Sequence, residues 1–298
     1  MSAGSRAAVV GMRGRALPAR LWEGRTKYLV GAICVFLSTI MLLPIVLTAL
    51  ASLKSTADAA AVPPLYVPTG LSLDSYQRLW DYQAGLPAYL ANSFGAAFMT
   101  IAFTLLLTVP AGYGLARFRV PFREVIFVLL LLALIIPYQA LLTPIFLMFA
   151  KLKLTNTLIG LAIVHTAIQL PFSVYIMRNS FEAVPRELEE AAVMDGGSSW
   201  QILIRVFIPA VVPAIVTVML FAFITSWNEF LGALVIMSKQ SAFTLPVILA
   251  AARSETALGG TDWGMLQAGV TISIIPCVGI YLLLQKYYVS GLLSGAVK

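Results

Sequence analysis

Residues 185–201 read PRELEEAAVMDGGSSWQ, a polar stretch in a chain of 298 residues that is 60% hydrophobic and only 11% charged. Pro185 suits the first turn of a helix, where its missing amide hydrogen costs nothing, and the acids that follow favour the positive helix end. Gly196 and Gly197 predict the end of that helix, because glycine readily takes left-handed backbone angles. Either of the two serines that follow can cap a second helix. The stretch therefore predicts a helix, a tight turn and another helix.

One face of the first predicted helix is small and shallow. Leu188, Ala191, Ala192 and Asp195 recur at spacings of three and four residues, so they share that face. A helix that lies on lipid headgroups usually carries Lys and Arg on its polar face and bulky apolar residues on the other. This helix is acidic and rich in alanine, and an anionic membrane surface would repel it. We therefore interpret it as a docking element for another protein.

Long uncharged runs lie on both sides of this stretch. Each is long enough for a helix that rises about 1.5 Å per residue to cross a hydrocarbon layer of about 30 Å. The six runs are 28–53, 82–116, 125–150, 154–177, 206–228 and 263–285. With a mean hydropathy of +0.90, they predict an all-α membrane protein with six transmembrane helices. The shorter run 240–252 is expected to be a surface or re-entrant helix.

The basic residues predict the orientation of the spans. Residues 1–27 carry six basic residues against one acid, which places the N-terminus in the cytoplasm. Alternation of the spans then puts 14 basic residues inside and 6 outside. We expect a cytoplasmic N-terminal tail (1–27), a transmembrane domain (28–288) and a cytoplasmic C-terminal tail (289–298). The net charge of +7 is then explained by topology and requires no nucleic acid.

Two further readings of the sequence are less favoured. Ala49-Leu50-Ala51 resembles a signal-peptide cleavage site, but the apolar stretch before it is too long for a typical signal core, so the first span is expected to stay. Two cysteines and the single histidine, His165, support neither a disulfide framework nor a metal site. The sequence also has no Ser/His or phosphate-binding constellation that indicates a catalytic site.

The quoted stretch resembles the EAA loop of binding-protein-dependent ABC importer permeases. Glu-Ala-Ala at 190–192 is followed by Asp-Gly at 195–196 and, nine residues later, by Val-Phe-Ile-Pro at 206–209, where the family has Ile-x-Leu-Pro. The resemblance covers nearly the whole chain from about residue 28 and is strongest to the carbohydrate-uptake, maltose-type branch. Its other motifs are AGYGLAR (111–117), IP (136–137), NT (156–157), LPF (170–172), WNEF (227–230) and the tail from 289. That tail ends in SGAVK rather than in a double glycine, which leaves its role open.

The resemblance implies a type I permease fold in the bacterial inner membrane, in contact with membrane lipid, and a heteromeric complex. The other members of that complex are a second permease subunit, a dimer of ABC ATPases and an extracytoplasmic solute-binding protein. The implied ATPase-coupling residues, within the loop 178–209, are Glu190, Ala191, Ala192, Asp195, Gly196 and Pro209. The chain lacks a GxxxxGK[ST] phosphate loop, so ATP and Mg are expected on the partner ATPase, and this chain is expected to be a transport subunit and not an enzyme.

A second candidate site lies in the fifth span. A carboxylate at the centre of a bilayer costs about 2.5 to 3.5 kcal/mol, so Glu229 is expected to face either a polar path or a partner helix. Its depth depends on whether the span begins near Arg205 or near Pro213. The candidates for a translocation path or gate are Trp227, Asn228, Glu229 and Gln169. For Gln169, as for Asn92, Gln139 and His165, a hydrogen bond between helices is the commoner role.

The outer loop 238–264 would, by the resemblance, face the solute-binding protein. Its charged residues Arg253, Glu255 and Asp262 are candidate contacts, although solvated loop charges are the commoner case. The expected cargo is a sugar or a sugar derivative, and the sequence does not say which. The alternative function is an ion- or proton-coupled secondary transporter that uses Glu229. That alternative leaves residues 185–201 without a role.

Overall fold

The chain is all-α. A computed structural model describes residues 17–59, 61, 65, 67–252 and 261–296, with side chains placed between residues 27 and 286 of those ranges, and no strand occurs among them. The α-helices are α1 (Leu17–Ser52), α2 (Thr56–Ala59), α3 (Asp74–Trp80), α4 (Leu86–Arg117), α5 (Arg123–Leu132), α6 (Leu142–Lys151), α7 (Leu158–Ala183), α8 (Arg186–Met194), α9 (Ser199–Ile202), α10 (Ile208–Ala210), α11 (Val212–Asn228), α12 (Leu231–Ile236), α13 (Leu245–Ala252) and α14 (Trp263–Ala296). Short 3-10 segments occupy Ala133–Ile135, Tyr138–Leu141 and Gln240–Ala242, and Leu203–Phe207 is π-helical.

Four of the six predicted spans are single helices, namely α1, α4, α7 and α14. Two of these helices extend into the segments that the sequence predicts as tails. The first helix begins at Leu17, and the last runs to Ala296. Residues 1–16 and 297–298 lie outside the described part of the chain.

The predicted third span is a bent pair of helices. Helical residues Arg123–Ile135 and Tyr138–Lys151 meet at an angle of 91°. Ile136 has extended backbone angles (ψ 119°) because the ring of the following proline, Pro137, disfavours the helical conformation. The expectation of one continuous helix over 125–150 is therefore wrong. A single crossing is retained only when the two helices are counted together.

The predicted fifth span is also broken. Ser199–Ala210 and Val212–Asn228 are bent by 79° relative to each other. Pro209 has no amide hydrogen to continue an α-helical ladder, and a π-helical segment precedes it. Pro213 occupies the first turn of α11, where a proline is tolerated. The straight helix that leads to Glu229 therefore begins near Pro213, one of the two starting points considered for this span.

Among the described residues, the most extensive helix pairing is between α4 and α7. Along α4, buried small residues recur about every four positions: Ala96, Thr100, Thr104, Thr108 and Gly112. A Cβ atom at Gly112 would lie 2.6 Å from the Cβ of Met177 on α7. Small residues permit such close backbone approach, which is the main source of helix pairing when the surrounding lipid is as apolar as the side chains.

Two apolar clusters lie at the two ends of the bundle. The cluster at the α8 end joins the ends of α4 and α7 to the π-helical segment and includes Tyr113, Phe181 and Phe207. The cluster at the α13 end includes Trp227, on α11, and Leu245, on α13. The helix predicted within 240–252 is confirmed as α13, but most of its residues are buried in the bundle, so the surface alternative is wrong and α13 is an internal helix.

Candidate coupling surface and buried polar cluster

The helix predicted after Pro185 is confirmed. It is α8, Arg186–Met194, with Pro185 preceding its first residue and Asp195 at its C-cap. Gly196 has a φ of +79°, the left-handed angle that glycine adopts at low cost and that closes a helix end. The amide of Gly196 donates to the carbonyl oxygen of Val193 at 2.9 Å. The Asp-Gly pair therefore ends α8 and reverses the chain.

The turn after α8 is held by a second glycine and a capping box. The amide of Gly197 donates to the carbonyl oxygen of Ala192 at 3.0 Å, and a Cβ atom at Gly197 would lie 2.9 Å from that oxygen. The Ser198 hydroxyl accepts a hydrogen bond from the Gln201 amide at 3.4 Å, and the Gln201 side chain accepts one from the Ser198 amide at 2.9 Å. Of the two candidate serine caps, Ser198 is the one used.

The side chains of α8 remain largely accessible. No residue of α8 is buried, and three of its apolar side chains, Leu188, Val193 and Met194, are 48%, 56% and 86% exposed. The candidate coupling residues Glu190, Ala191, Asp195, Gly196 and Pro209 are exposed, whereas Ala192 is half-buried and packs against the cluster at the α8 end. The small size of Ala192 therefore serves a contact within this chain.

A cleft separates α8 from the loop that joins α4 to α5. Its volume is about 1270 Å³, and residues 116–125 form one wall while α8 forms the other. Both charge signs line it: Arg117, Arg119, Arg123 and Arg186 with Glu124, Glu189 and Glu190. One side of α8 therefore faces a polar cleft that carries charges of both signs.

Arg117 joins α8 to the bundle. It is the last residue of α4, and its side chain is 5% exposed. Its Nη1 lies 3.4 Å from Oε2 of Glu189 on α8, and its Nη2 donates to the carbonyl oxygens of Phe181 and Val184 at the end of α7. The guanidinium carbon also lies 4.8 Å from the centre of the Phe207 ring. The side chain of Arg117, on α4, therefore contacts the end of α7, α8 and the π-helical segment.

Glu229 lies at the centre of a buried polar cluster. It follows the last residue of α11 and has an extended backbone (ψ 127°), so its predicted position within the helix is wrong by one residue. Oε1 accepts hydrogen bonds from the Tyr138 hydroxyl and the Gly232 amide, both at 2.7 Å. Oε2 accepts one from the Ala233 amide at 2.9 Å and lies 3.2 Å from Nε2 of His165. The carboxylate thus holds the first turn of α12, where free amides favour an anion.

The cluster continues from His165 toward α4. Nδ1 of His165 lies 2.7 Å from the hydroxyl of Ser226, which accepts a hydrogen bond from Thr100 at 3.3 Å. Glu229 and His165 are 8% and 0% exposed. The cluster therefore connects four parts of the membrane domain through buried hydrogen bonds: α4, the break between α5 and α6, α7, and the junction of α11 with α12.

The other candidates for a path or gate have separate positions. Trp227 is 2% exposed, and its Nε1 donates to the carbonyl oxygen of Ser273 on α14 at 3.1 Å. Asn228 is exposed and bonds back to Ile224 at 3.0 Å. The amide oxygen of Gln169 accepts a hydrogen bond from Thr225 on α11 at 3.0 Å. Trp227 and Gln169 therefore make contacts between helices, and only Asn228 of these three is directed away from the packed interior.

Asp262 is engaged in an ion pair at the α13 end. Its carboxylate accepts hydrogen bonds from Nε of Arg78 at 2.9 Å and from the amide of Met265 at 2.9 Å. Burial acts to raise the pKa of Asp262, but these hydrogen bonds and the Arg78 charge outweigh it and hold the pKa below its ordinary value of 3.8. The candidate contacts Arg253 and Glu255 lie outside the described residues.

Several functional neighbours were not singled out by sequence reasoning. Arg117 was noted only as a basic residue of the predicted topology and as the end of the AGYGLAR motif. Arg78 was counted only as a basic residue outside, and Tyr138 and Ser226 were not singled out. Each acts through a contact that is distant in the chain, such as the pairing of Tyr138 with Glu229, and no local pattern encodes it. An arginine in the last turn of a helix indicates that it can bond to free carbonyls at a helix end. The sequence does not indicate that Arg117 bonds to the end of α7 instead of to the end of its own helix. Within the described residues, no three His, Cys, Asp or Glu side chains are grouped to hold a metal ion.

The fold is that of an ABC importer permease. The crystal structure of a bacterial ABC transporter involved in the import of the acidic polysaccharide alginate contains a chain that superimposes with a TM-score of 0.76 at 24% identity, covering 94% of this chain and 100% of that one. The model of the family described as "Binding-protein-dependent transport system inner membrane component" matches residues 108–293. The chain belongs to this family, and it is a multi-pass protein of the inner membrane.

Two relatives match over most of their length. The chain is 34% identical to the probable ABC transporter permease protein YurM of Bacillus subtilis, over 78% of this chain and 76% of the relative. It is 32% identical to the sulfoquinovosyl glycerol transport system permease protein SmoH of Agrobacterium fabrum, over 86% and 89%. Both are permease subunits, so this chain is a transport component and not itself an enzyme. The resemblance noted in the sequence is confirmed at the level of the family.

Proposed function

We propose that this chain forms half of the membrane pathway of an ATP-driven importer for a sugar or sugar derivative, with α8 as the surface that binds a cytoplasmic ABC ATPase. The cargo is suggested by one relative, SmoH, which is named for sulfoquinovosyl glycerol transport. In this assembly, which is of the maltose type, a second permease completes the pathway, a solute-binding protein delivers the cargo, and ATP with Mg is bound by the ATPase. Both termini and α8 lie on the cytoplasmic side.

The observation that carries the proposal is the exposed, mixed surface of α8. Leu188, Val193 and Met194 are apolar and open, although they share a short helix with three glutamates. Such a surface suits neither the hydrocarbon layer, because of its acids, nor water alone, because of its apolar groups. A protein groove with apolar walls and basic edges satisfies both. The position of α8, directly before the bent entry into α11, would let its displacement tilt the fifth span.

The α13 end of the bundle, opposite α8, is proposed to bind the solute-binding protein. Asp262 and Arg78 line a cleft of about 450 Å³ there. Glu229, in contrast, is proposed as a packing residue, because both of its oxygens already accept hydrogen bonds within the chain. An ion- or proton-coupled secondary transporter would need that carboxylate to be available, so the alternative function is not favoured.

The proposal is tested by purifying the tagged chain in mild detergent from its own cells and identifying the proteins that accompany it. We expect a second permease and an ABC ATPase with measurable ATP hydrolysis. Ala191→Trp, on the exposed face of α8, should release the ATPase while the second permease remains bound. Ala183→Trp, exposed at the end of α7, is the matched control and should retain both. A chain that is recovered alone and stable would contradict the proposal.

A further inference from the structure

Arg117 makes contacts that its position as the last residue of α4 does not require. Its guanidinium donates to two carbonyl oxygens that end α7, those of Phe181 and Val184, and pairs with Glu189 on α8 at 3.4 Å. It also lies over the ring of Phe207, in the π-helical segment before α11. The side chain is only 5% exposed, so these contacts are made away from bulk water.

The two carbonyl contacts are strong for a physical reason. The last carbonyls of a helix have no partner within the helix and carry the negative end of its dipole, so a cation that reaches them is favoured. The planar guanidinium can donate to both carbonyls with one nitrogen and to a carboxylate with another, which a lysine ammonium on a flexible stem does less well. Arg117 therefore fixes the ends of α4 and α7 to each other.

The contact with Glu189 extends this fixed junction to α8. Glu189 is on a helix with no buried residue, and within the described ranges its pair with Arg117 is the only ion pair between α8 and another element. The remaining acids of α8 are left free for a partner. Glu189 and Glu190 therefore have different roles, since the carboxylate of Glu189 faces the bundle and that of Glu190 is exposed.

We propose that Arg117 is a positioning residue that fixes α8 to the ends of α4 and α7, so that these membrane helices move with α8 when a bound ATPase displaces it. This inference rests on the proposed function of α8 as the ATPase-binding surface. It adds a specific side chain through which the displacement reaches α4 and α7, in addition to the direct chain connection from α8 to α11.

The test measures the distance between α8 and α4 in the purified complex. Spin labels are placed at Arg186→Cys, the exposed first residue of α8, and at Leu106→Cys on α4, which is 71% exposed, in a chain with both native cysteines replaced by serine. Distances are recorded without nucleotide and with ATP and vanadate. We expect the same narrow distribution in both states for the wild-type junction. In Arg117→Gln the distance should change by about 2 to 5 Å with ATP and vanadate, because α8 then moves without α4.

Two further variants separate positioning from general stability. Arg117→Lys keeps the charge and should give a smaller change than Arg117→Gln. Arg119→Gln removes an exposed arginine two residues away and should behave as the wild type. Identical distributions in Arg117→Gln and the wild type, in both states, would overturn the inference.

Other outcomes are also decisive. If Arg117→Gln does not accumulate, Glu189→Ala is measured in its place, because it removes the link to α8 and leaves the carbonyl contacts of α7 intact. A nucleotide-dependent distance in Glu189→Ala supports the inference, and an unchanged distance overturns it. A wild-type complex without an ATPase would overturn the proposed function and this inference together. A complex that holds its ATPase but shows no effect of either variant would overturn this inference alone.

Discussion

The acids of α8 and the acid at Glu229 belong to the same chain but have opposite surroundings. Glu190 is exposed on a helix with no buried residue, whereas Glu229 is 8% exposed, with hydrogen bonds to both oxygens. A buried carboxylate is tolerated only when its bonds are made inside the chain, and an exposed one is available to another molecule. The bonding of each carboxylate, more than its presence in a transporter, therefore indicates which one serves a partner.

The largest effect that would test this contrast is expected from Glu229→Ala. The substitution removes four contacts at once and leaves Tyr138 and His165 without their partner, which costs about 3 to 5 kcal/mol when a buried pair is broken. We expect little folded protein, measured as thermal unfolding in detergent and as yield. Glu229→Gln can still accept hydrogen bonds from the α12 amides, so its unfolding temperature should lie between those of the wild type and Glu229→Ala. Wild-type stability of Glu229→Ala would show that the buried carboxylate is not needed for folding.

Gly196→Pro should have the next largest effect, and it acts on the exposed side. A proline ring fixes φ near −65°, which is incompatible with the φ of +79° at Gly196, at a cost of about 3 kcal/mol in the turn. We expect membrane insertion to persist and ATP hydrolysis by the complex to be lost. Asparagine tolerates left-handed angles, so Gly196→Asn is the control and should keep most of the activity. Equal activities of the two variants would show that the turn geometry is not needed.

Glu190→Gln should have a smaller effect, confined to binding. Because the side chain is exposed, its change should leave the unfolding temperature unaltered. We expect the affinity for the ATPase to fall about fivefold, with the difference disappearing at high salt. Affinity is measured by titrating the ATPase against the permease complex in detergent. Asp81→Asn, an exposed acid at the α13 end, serves as the control, and an equal loss there would remove the special role of α8.

The smallest effect concerns Asp262, a partly exposed carboxylate between the two extremes. Its pKa in the folded state is lowered by Arg78 and the Met265 amide, after burial has acted in the opposite direction. A lowered pKa means that the pair stabilises the fold above the ordinary value of 3.8 and that this contribution is lost as the pH falls through the folded pKa. We expect Asp262→Asn to lose up to about 1 kcal/mol at neutral pH and to show a weaker acid destabilisation. The prediction is checked by measuring the unfolding temperatures of Asp262→Asn and the wild type at neutral and at acid pH.

The sequence allowed the helical class, four spans and the α8 turn to be predicted. These follow from local signals: uncharged length for the spans, and Pro185, Gly196 and Ser198 for the bounds of the turn. The breaks at Pro137 and Pro209 were missed because length alone was used, although other prolines, such as Pro110 in α4 and Pro171 in α7, lie within continuous helices. Whether a proline breaks a helix in a membrane depends on neighbours that can satisfy the freed backbone groups.

Of the candidate functional residues, only those on the exposed helix α8 could be grouped from the sequence. The residues of α8 form a contiguous motif, so spacing alone brings them together. The surroundings of Glu229 come from Tyr138, His165 and the α12 amides, and the junction at Arg117 comes from α7 and α8. Those contacts depend on how helices pack, and a single sequence carries no direct record of that packing.

The pairing of α1 with α14 bears on the order in which the protein is built. These are the first and last membrane helices of the chain, and α1 packs chiefly against α14. The most apolar part of α1 has none of its residues buried within the chain, so it depends on lipid or on other subunits for most of its surroundings. During synthesis α1 enters the membrane long before its partner exists. The bundle can therefore close only after the ribosome has delivered the final helix, and a chain cut short before α14 would leave α1 unpaired in the bilayer.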